Sequence, residues 1–373
     1  MKIGILTYHR SQNYGALLQA RALQEYIKSL GHNVSFVDYR PQYIVDMYKP
    51  FAWSAFKKKS LVRKVWYIIS FLLKYRRIAK RRKSTNNYIN TFLSVTDSCR
   101  FDAVIYGSDQ IWRKQHKPAF DYFDPVFWGE GLVKTKVKIA YAASMGNIEI
   151  DTPEDKIFIK HHLGNFHDVS IREKDLLDRL EEELGTRYKH VCDPVFLLTK
   201  EQWNTHIDKK YIPTYKYILY YRLQPIVETD KMVDELTKKT GMQIIEMRGY
   251  IPFFHYGCCY RLTADAQEFL SLISGAEFVV STSFHGIALS LIFQKQFFTT
   301  FNLKCAGRIK SILKLLELEH HFMNYNDIVE NGLNNPINYE LVNVKLQPFV
   351  DFSRKWLHDQ LKVANIEKGL PKD

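Results

Sequence analysis

Short apolar runs of β type alternate with helix-period patterns along almost all of this chain, and that alternation leaves few folds open. Lys2-Ile-Gly-Ile-Leu-Thr-Tyr8 reads as a buried strand. Ala16, Ala20, Leu23, Ile27 and Leu30 then share one helical face that stops at Gly31, and residues 34–38 form the next strand, so the chain opens with a βαβ unit. Residues 102–106 and 137–143 supply further strands for the same parallel sheet. A second series is expected from about His167, with strands at 168–171, 217–221, 242–247, 277–281 and 296–301 and helical patterns at 173–184, 231–240 and 264–274. The fold class expected is α/β, with two doubly wound Rossmann-like domains, 1–165 and 166–345, facing each other across a cleft. A last helical pattern at 346–363, in a tail of 346–373, is placed to cross back onto the first domain.

Charge is spread unevenly. The 53 Lys and Arg against 40 Asp and Glu give +13, but residues 57–83 hold 12 of the cations and no acid, which leaves the remainder nearly neutral. A charge confined to one segment points to a local electrostatic device and away from nucleic acid. The segment falls in a helical insertion expected at about 47–95, where Val62, Val65, Trp66, Ile69, Leu72 and Leu73 share a face. Lys74, Arg76, Arg77, Lys80, Arg81, Arg82 and Lys83 follow that stripe, and the combination suits the plane of an anionic membrane surface. The competing reading is an insertion whose stripe packs on the first domain while its charges are merely solvated. The longest apolar run, 65–73, is far below the ~20 residues of a spanning helix, and the run at 3–8 is too short for the core of a signal peptide. Five cysteines without a C-x-x-C pair fit neither a disulfide framework nor a zinc ribbon. A cytoplasmic protein, peripheral at most at the inner membrane face and without a metal, is expected.

In open α/β sheets ligands sit beyond the carboxyl ends of the strands, so the loops after strands carry the candidate residues. In Tyr8-His-Arg-Ser-Gln-Asn-Tyr-Gly-Ala-Leu-Leu-Gln19, Asn13 and Gly15 open a helix whose N–H groups suit an anion or a sugar hydroxyl. Asn13 as a plain N-cap is equally open. Gly107-Ser-Asp-Gln-Ile-Trp112 offers Asp109 and Gln110 to sugar hydroxyls with Trp112 as a platform, capping by Ser108 or Asp109 being the alternative. Arg172 stands where a strand passes into a helix, within two-point reach of a carboxylate or phosphate unless a surface ion pair claims it. The strongest local signal is Glu277-Phe-Val-Val-Ser-Thr-Ser-Phe-His-Gly-Ile-Ala-Leu-Ser290, which sets His285 and Gly286 at the start of an apolar helix. An anion held there would sit beside an imidazole suited to proton transfer, with Arg308 as a second cation.

Taken in order, Gln12-Asn-Tyr-Gly-Ala-Leu-Leu-Gln19, Tyr106-Gly-Ser-Asp-Gln-Ile-Trp112, Ala140-Tyr-Ala-Ala-Ser-Met-Gly146, Ile171-Arg-Glu173, Asp193-Pro194, Ser283-Phe-His-Gly286 and Arg308 resemble the polysaccharide pyruvyl transferase family. The resemblance implies a GT-B-like fold and transfer of a pyruvyl group from phosphoenolpyruvate to two sugar hydroxyls as a cyclic ketal. Phosphoenolpyruvate is then a co-substrate, no cofactor is needed, and a lipid-linked oligosaccharide is the expected acceptor. It implies His285 as the acid, and Arg172, Ser281, Ser283, Phe284, Gly286 and Arg308 around the donor. Asn13, Tyr14, Asp109, Gln110 and Trp112 are implied on the acceptor side. The chain departs from the family's Arg-x-His motif with Ser283, and has Thr282 where many relatives carry Asp. The competing enzyme is a GT-B nucleotide-sugar glycosyltransferase, and the competing non-enzyme is a membrane-associated binding protein of a glycan pathway.

Overall fold

Two parallel sheets frame the computed structural model, which describes residues 1–51, 53–117, 120–251, 259–300, 307–319 and 328–369. The first is built from β1 (Lys2–Leu6), β2 (Asn33–Val37), β3 (Val95–Thr96) and β4 (Ala103–Tyr106). After a hairpin of β5 (Gln115–Lys117) and β6 (Phe120–Tyr122), it continues with β7 (Val137–Ala143), β8 (Asp168–Ile171) and β9 (Lys189–His190), in the spatial order β3-β2-β1-β4-β7-β8-β9. Its connections include α1 (Tyr14–Ser29), α2 (Gln42–Met47), α3 (Trp53–Lys57), α4 (Leu61–Phe92), α5 (Pro153–Leu163) and α6 (Lys174–Leu184). Past the short α7 (Lys200–Asn204), the second sheet runs β12-β11-β10-β13-β14, from β10 (Tyr217–Arg222), β11 (Gln243–Arg248), β12 (Cys259–Tyr260), β13 (Phe278–Ser281) and β14 (Gln296–Phe298). Its helices are α8 (Val227–Thr240), α9 (Ala266–Gly275), α10 (Phe284–Ile292), α11 (Gly307–Leu315) and α12 (Ile328–Asn334), and α13 (Tyr339–Gly369) closes the chain.

The domain boundary expected at 166 is corrected. β8 pairs in parallel with β7, Ile139 opposite Asp168, and β9 adds outside it, so the first sheet extends to His190. A strand buried on both faces carries no mark of which sheet it joins, and the crossover through α5 returns β8 to the sheet it left. The strand expected over 296–301 is described to Phe298, and residues 301–306, with Cys305, and Cys258 lie outside the described residues. α13 lies along the first domain: the amide of Cys192 donates to Ser353 Oγ at 2.9 Å and Gln360 Nε2 to Asp168 Oδ2 at 2.8 Å. One apolar cluster joins Leu17 and Leu18 of α1 to Val195 and Phe196, and on to Phe269 and Ile287 of the second domain. The cleft is therefore framed by a core common to both sheets.

Two residues expected on the acceptor side belong to the core instead. Trp112 is fully buried, stacked on Trp128 with ring centres 4.2 Å apart, and its Nε1 donates to the Phe127 carbonyl at 3.0 Å. Tyr14 is buried against Phe269 and Tyr221, at 5.4 and 5.8 Å between centres. An indole beneath a loop that finds its own carbonyl gains more from burial than from a seat in water.

The insertion is dominated by the single 32-residue helix α4. Arg81, Thr85, Tyr88 and Ile89 are its buried residues, so its C-terminal half is the anchored one. This corrects two of the residues expected to face a membrane. Arg81 turns inward and donates through Nη1 to the Arg248 carbonyl at 3.0 Å, and Lys74 is half-buried on a cavity wall. Arg76, Lys80, Arg82 and Lys83 are exposed and Arg77 is half-buried. Among the described residues no helix is long and apolar enough to cross a membrane.

If Trp112 serves packing alone, Trp112→Ala should lower stability by about 3–5 kcal/mol, the usual cost of emptying a large aromatic site. Denaturant unfolding checks this, and a fully stable variant would return Trp112 to the cleft.

Candidate active site

Winding direction fixes where a ligand can sit. In the first sheet the order reverses between β1 and β4, and in the second between β10 and β13. At such a switch point the loops after the two central strands splay to opposite faces and leave a crevice. A cavity of about 780 Å³ is lined by residues from all four of those loops. Tyr8, Ser11 and Asn13 follow β1, Asp109, Gln110 and Arg113 follow β4, Leu223 and Gln224 follow β10, and Thr282 to His285 follow β13. The volume is that of a small-ligand site. Its wall is biased to positive charge: Arg113 and Arg308 line it together with Lys114, whose ammonium is paired with Asp155 at 2.8 Å, and Asp109 is the one carboxylate among the lining residues.

Local structure presents each side chain. Asn13 caps α1, its Oδ1 accepting from the Gly15 amide at 2.9 Å, and Ser283 caps α10, its Oγ accepting from the Gly286 amide at 3.4 Å. Both caps also border the cavity, so two positive helix ends face it. A Cβ on Gly15 would lie 2.2 Å from His285 Nδ1, which is why only glycine fits at that point of α1. Gly107 adopts φ 120°, where a Cβ would meet the Tyr141 carbonyl, and the following loop holds Asp109 at φ 63°, an unusual conformation for a residue with a side chain. Ser281 is buried, accepts from the Ser283 amide at 3.0 Å and donates to the Tyr221 carbonyl at 3.3 Å. It shapes the turn and does not border the cavity. Gly286 makes room for that hydroxyl, since a Cβ there would lie 2.5 Å from Ser281 Oγ.

Behind the wall lies a buried charged network. Arg172 donates through Nη1 to Asp193 Oδ2 at 2.6 Å and to Ser108 Oγ at 3.0 Å, and through Nε to Glu173 Oε1 at 3.1 Å. Ser144 donates to the same Glu173 oxygen at 2.6 Å. His285 Nε2 stands 3.4 Å from Asp193 Oδ2. Burial would push the Asp193 carboxyl up, but His285 and Arg172 beside it more than offset this and hold it well below the usual carboxylate range. Burial likewise works against charge on Arg172, and Glu173 and Asp193 outweigh it, so the guanidinium stays charged. An ionised carboxylate facing Nε2 is a seat for a ring nitrogen that carries a proton.

A family comparison decides what this arrangement belongs to. The family model for polysaccharide pyruvyl transferase matches residues 13–300. The chain belongs to the polysaccharide pyruvyl transferase family. No curated protein matches this pyruvyl transferase family member in sequence. Among solved structures it is similar to the S. aureus MnaA–UDP co-structure, with 11% identity, a TM-score of 0.55 and 100% and 99% of the two chains covered. It is also similar to UDP-GlcNAc 2-epimerase from Neisseria meningitidis bound to UDP-GlcNAc, with 12% identity, a TM-score of 0.50 and 97% and 99% covered. At such identities the likeness concerns the fold, which is GT-B-like.

The structure thus brings His285, Ser283, Phe284, Arg308, Asn13, Asp109 and Gln110 to one cavity. Arg172, expected at the donor, is nearly fully buried and lies outside that lining; it borders, with Phe284 and Arg308, a small neighbouring cavity, the Arg172 and Arg308 guanidiniums standing 5.4 and 5.9 Å from the Phe284 ring centre. Its carboxylate partners, one of them next to it in sequence, complete its ion pairs from within. Asp193 was legible only as part of a family motif, because Asp-Pro also reads as a turn that caps the following residues. Arg113 and Lys114 carried no signal beyond their place after a strand. Among the described residues no group of His, Cys, Asp or Glu side chains is placed to hold a metal ion.

Asp193→Asn should lower stability at neutral pH by about 3–5 kcal/mol, because it leaves the Arg172 charge buried with a weaker partner. Asp193 has a depressed folded pKa, so its contribution is present above the unfolded value and is lost as pH falls. The gap between wild type and variant should therefore narrow below about pH 4, and unfolding curves across that range check it.

Proposed function

We propose that this chain transfers the pyruvyl carbons of phosphoenolpyruvate to two hydroxyls of one sugar, forming a cyclic ketal in a polysaccharide precursor. The observation that carries the reading is His285 at the wall of a cation-biased cavity at both switch points, in a chain of this family. Phosphoenolpyruvate is small and bears a carboxylate and a phosphate, which suits Arg308 and Arg113 together with the two helix ends. These cations stand in for the arginine that Ser283 replaces. A sugar offers hydroxyls that Asn13, Asp109 and Gln110 can bind.

In this reading His285 donates a proton to the methylene carbon, and C2 becomes electrophilic. A sugar hydroxyl adds to C2, the bond from C2 to the phosphate oxygen breaks, and the second hydroxyl closes the ketal. Of the two hydroxyl protons, one restores the acid and one leaves with phosphate. Asp193, behind the ring at 3.4 Å from Nε2, holds the imidazole in place. The cations and helix ends stabilise the phosphate as it departs.

His285→Gln should fold and bind phosphoenolpyruvate yet turn over at least ~10²-fold more slowly, as measured by phosphate release with sugar acceptors. Arg308→Ala should weaken phosphoenolpyruvate binding about tenfold or more in calorimetry. Turnover with sugar nucleotides and none with phosphoenolpyruvate would favour the glycosyltransferase reading. Binding of phosphoenolpyruvate without phosphate release from any acceptor would favour a binding protein.

A further inference from the structure

We propose that α4 docks this protein on an anionic membrane surface and, resting on the pyruvyl-transfer reading, that a lipid-carried acceptor reaches the cleft along it. The helix has two different long faces. Val62, Val65, Trp66, Leu72 and Leu73 are each more than half exposed, and Ile69 is 40% exposed, although they are large apolar residues on one stripe. At 100° per residue the same stripe continues into Arg76, Lys80 and Lys83, all exposed. The opposite face presents Tyr67, Phe71, Lys74, Ile78 and Arg81 to a second cavity of about 570 Å³. That cavity shares Asn13, Met47, Tyr48 and Leu223 with the reaction cavity, so the two are immediate neighbours.

Charge complementarity selects the occupant. From residue 47 to residue 96 the chain has no Asp or Glu, so nothing within the insertion neutralises the stripe's cations. Two copies pairing through α4 in parallel would set Arg76, Lys80 and Lys83 against their own counterparts. Pairing in antiparallel would press them onto Val62, Trp66 and Ile69. Anionic headgroups neutralise them and take the apolar half at the same time, with Trp66 at the boundary between water and acyl chains. The inward face, with its aromatic rings and the Lys74 and Arg81 cations, suits a glycan joined to its carrier through phosphate.

The test uses the full chain with vesicles of phosphatidylcholine alone and of phosphatidylcholine with phosphatidylglycerol, without substrates. Wild type should sediment with the anionic vesicles, lose binding as salt rises, and show a blue shift in tryptophan emission that Trp66→Phe removes. Arg76→Gln/Lys80→Gln/Lys83→Gln should weaken partitioning on the order of a hundredfold, and Leu72→Glu should weaken it as well. A wild type that binds neither vesicle at low salt overturns the proposal. So does a dimer, seen by equilibrium sedimentation, that Leu72→Glu dissolves while vesicle binding is absent. For delivery of the acceptor, the triple variant should lose activity on a lipid-linked sugar in anionic vesicles and keep it on a soluble one, and equal loss on both overturns that part. Phosphate release with the soluble acceptor reports on pyruvyl transfer independently of docking, so either reading can fail alone.

Discussion

The His285 ring rests against Gly15, and through that contact the N-terminus of α10 meets the N-terminus of α1. Two helix ends of like sign are thereby held close, each worth roughly half a positive charge. Their mutual repulsion is offset in part by neighbouring charge. The ionised Asp193 supplies part of it from behind, tied to Arg172, which in turn is tied to Glu173 and Ser108. Apolar packing supplies the rest of the clamp, since α1, the turn after Asp193 and the helices of the second sheet belong to one cluster. The cleft is a consequence of this clamp: it is the space left in front of two helix ends whose backs are fixed.

Much of this frame was legible along the chain. Strands such as β7 and β8 read at their observed bounds because parallel strands buried on both faces are nearly continuous apolar runs. Their sheet was not legible for β8, because membership depends on the return path of α5 and leaves no trace in β8 itself. The site followed the same division. Asn13, Asp109, Gln110 and His285 were found from their place after strands, which sequence order alone determines. Trp112 and Tyr14 were misplaced because their decisive partners, Trp128 and Phe269, lie far along the chain. Arg172 shows an intermediate case: its position at a strand end was right, while its closure by Asp193 depended on a loop beyond another helix and strand.

The basic insertion separates local pattern from tertiary outcome in another way. A stripe of spacing three and four is ordinarily the face that meets the core. In α4 the anchoring comes from Arg81, Thr85, Tyr88 and Ile89 near its C-terminal half, and the apolar stripe of the other half points away from the protein. The run of cations thus divides by angle around the helix and not by position along it. Those at the angle of Arg81 and Lys74 serve the cavity wall, and those at the angle of Lys80 meet solvent.

That division bears on the electrostatics of the cleft. Because the protein outside residues 57–83 is nearly neutral, the positive bias of the cavity does not come from net charge. It comes from placement: Arg308 and Arg113 at the wall, the two helix ends, and the exclusion of carboxylates other than Asp109 from the lining. Glu173 and Asp193 are close by but spend their charge on Arg172 and His285 from within. The cations and helix ends at the front of the clamp outnumber the one carboxylate in the lining, and that excess favours an anion in the cleft. A small anion gains from both helix ends and the wall cations at once, whereas a neutral group gains from neither, so the same geometry that holds the two sheets together also makes one part of the cavity selective for negative charge.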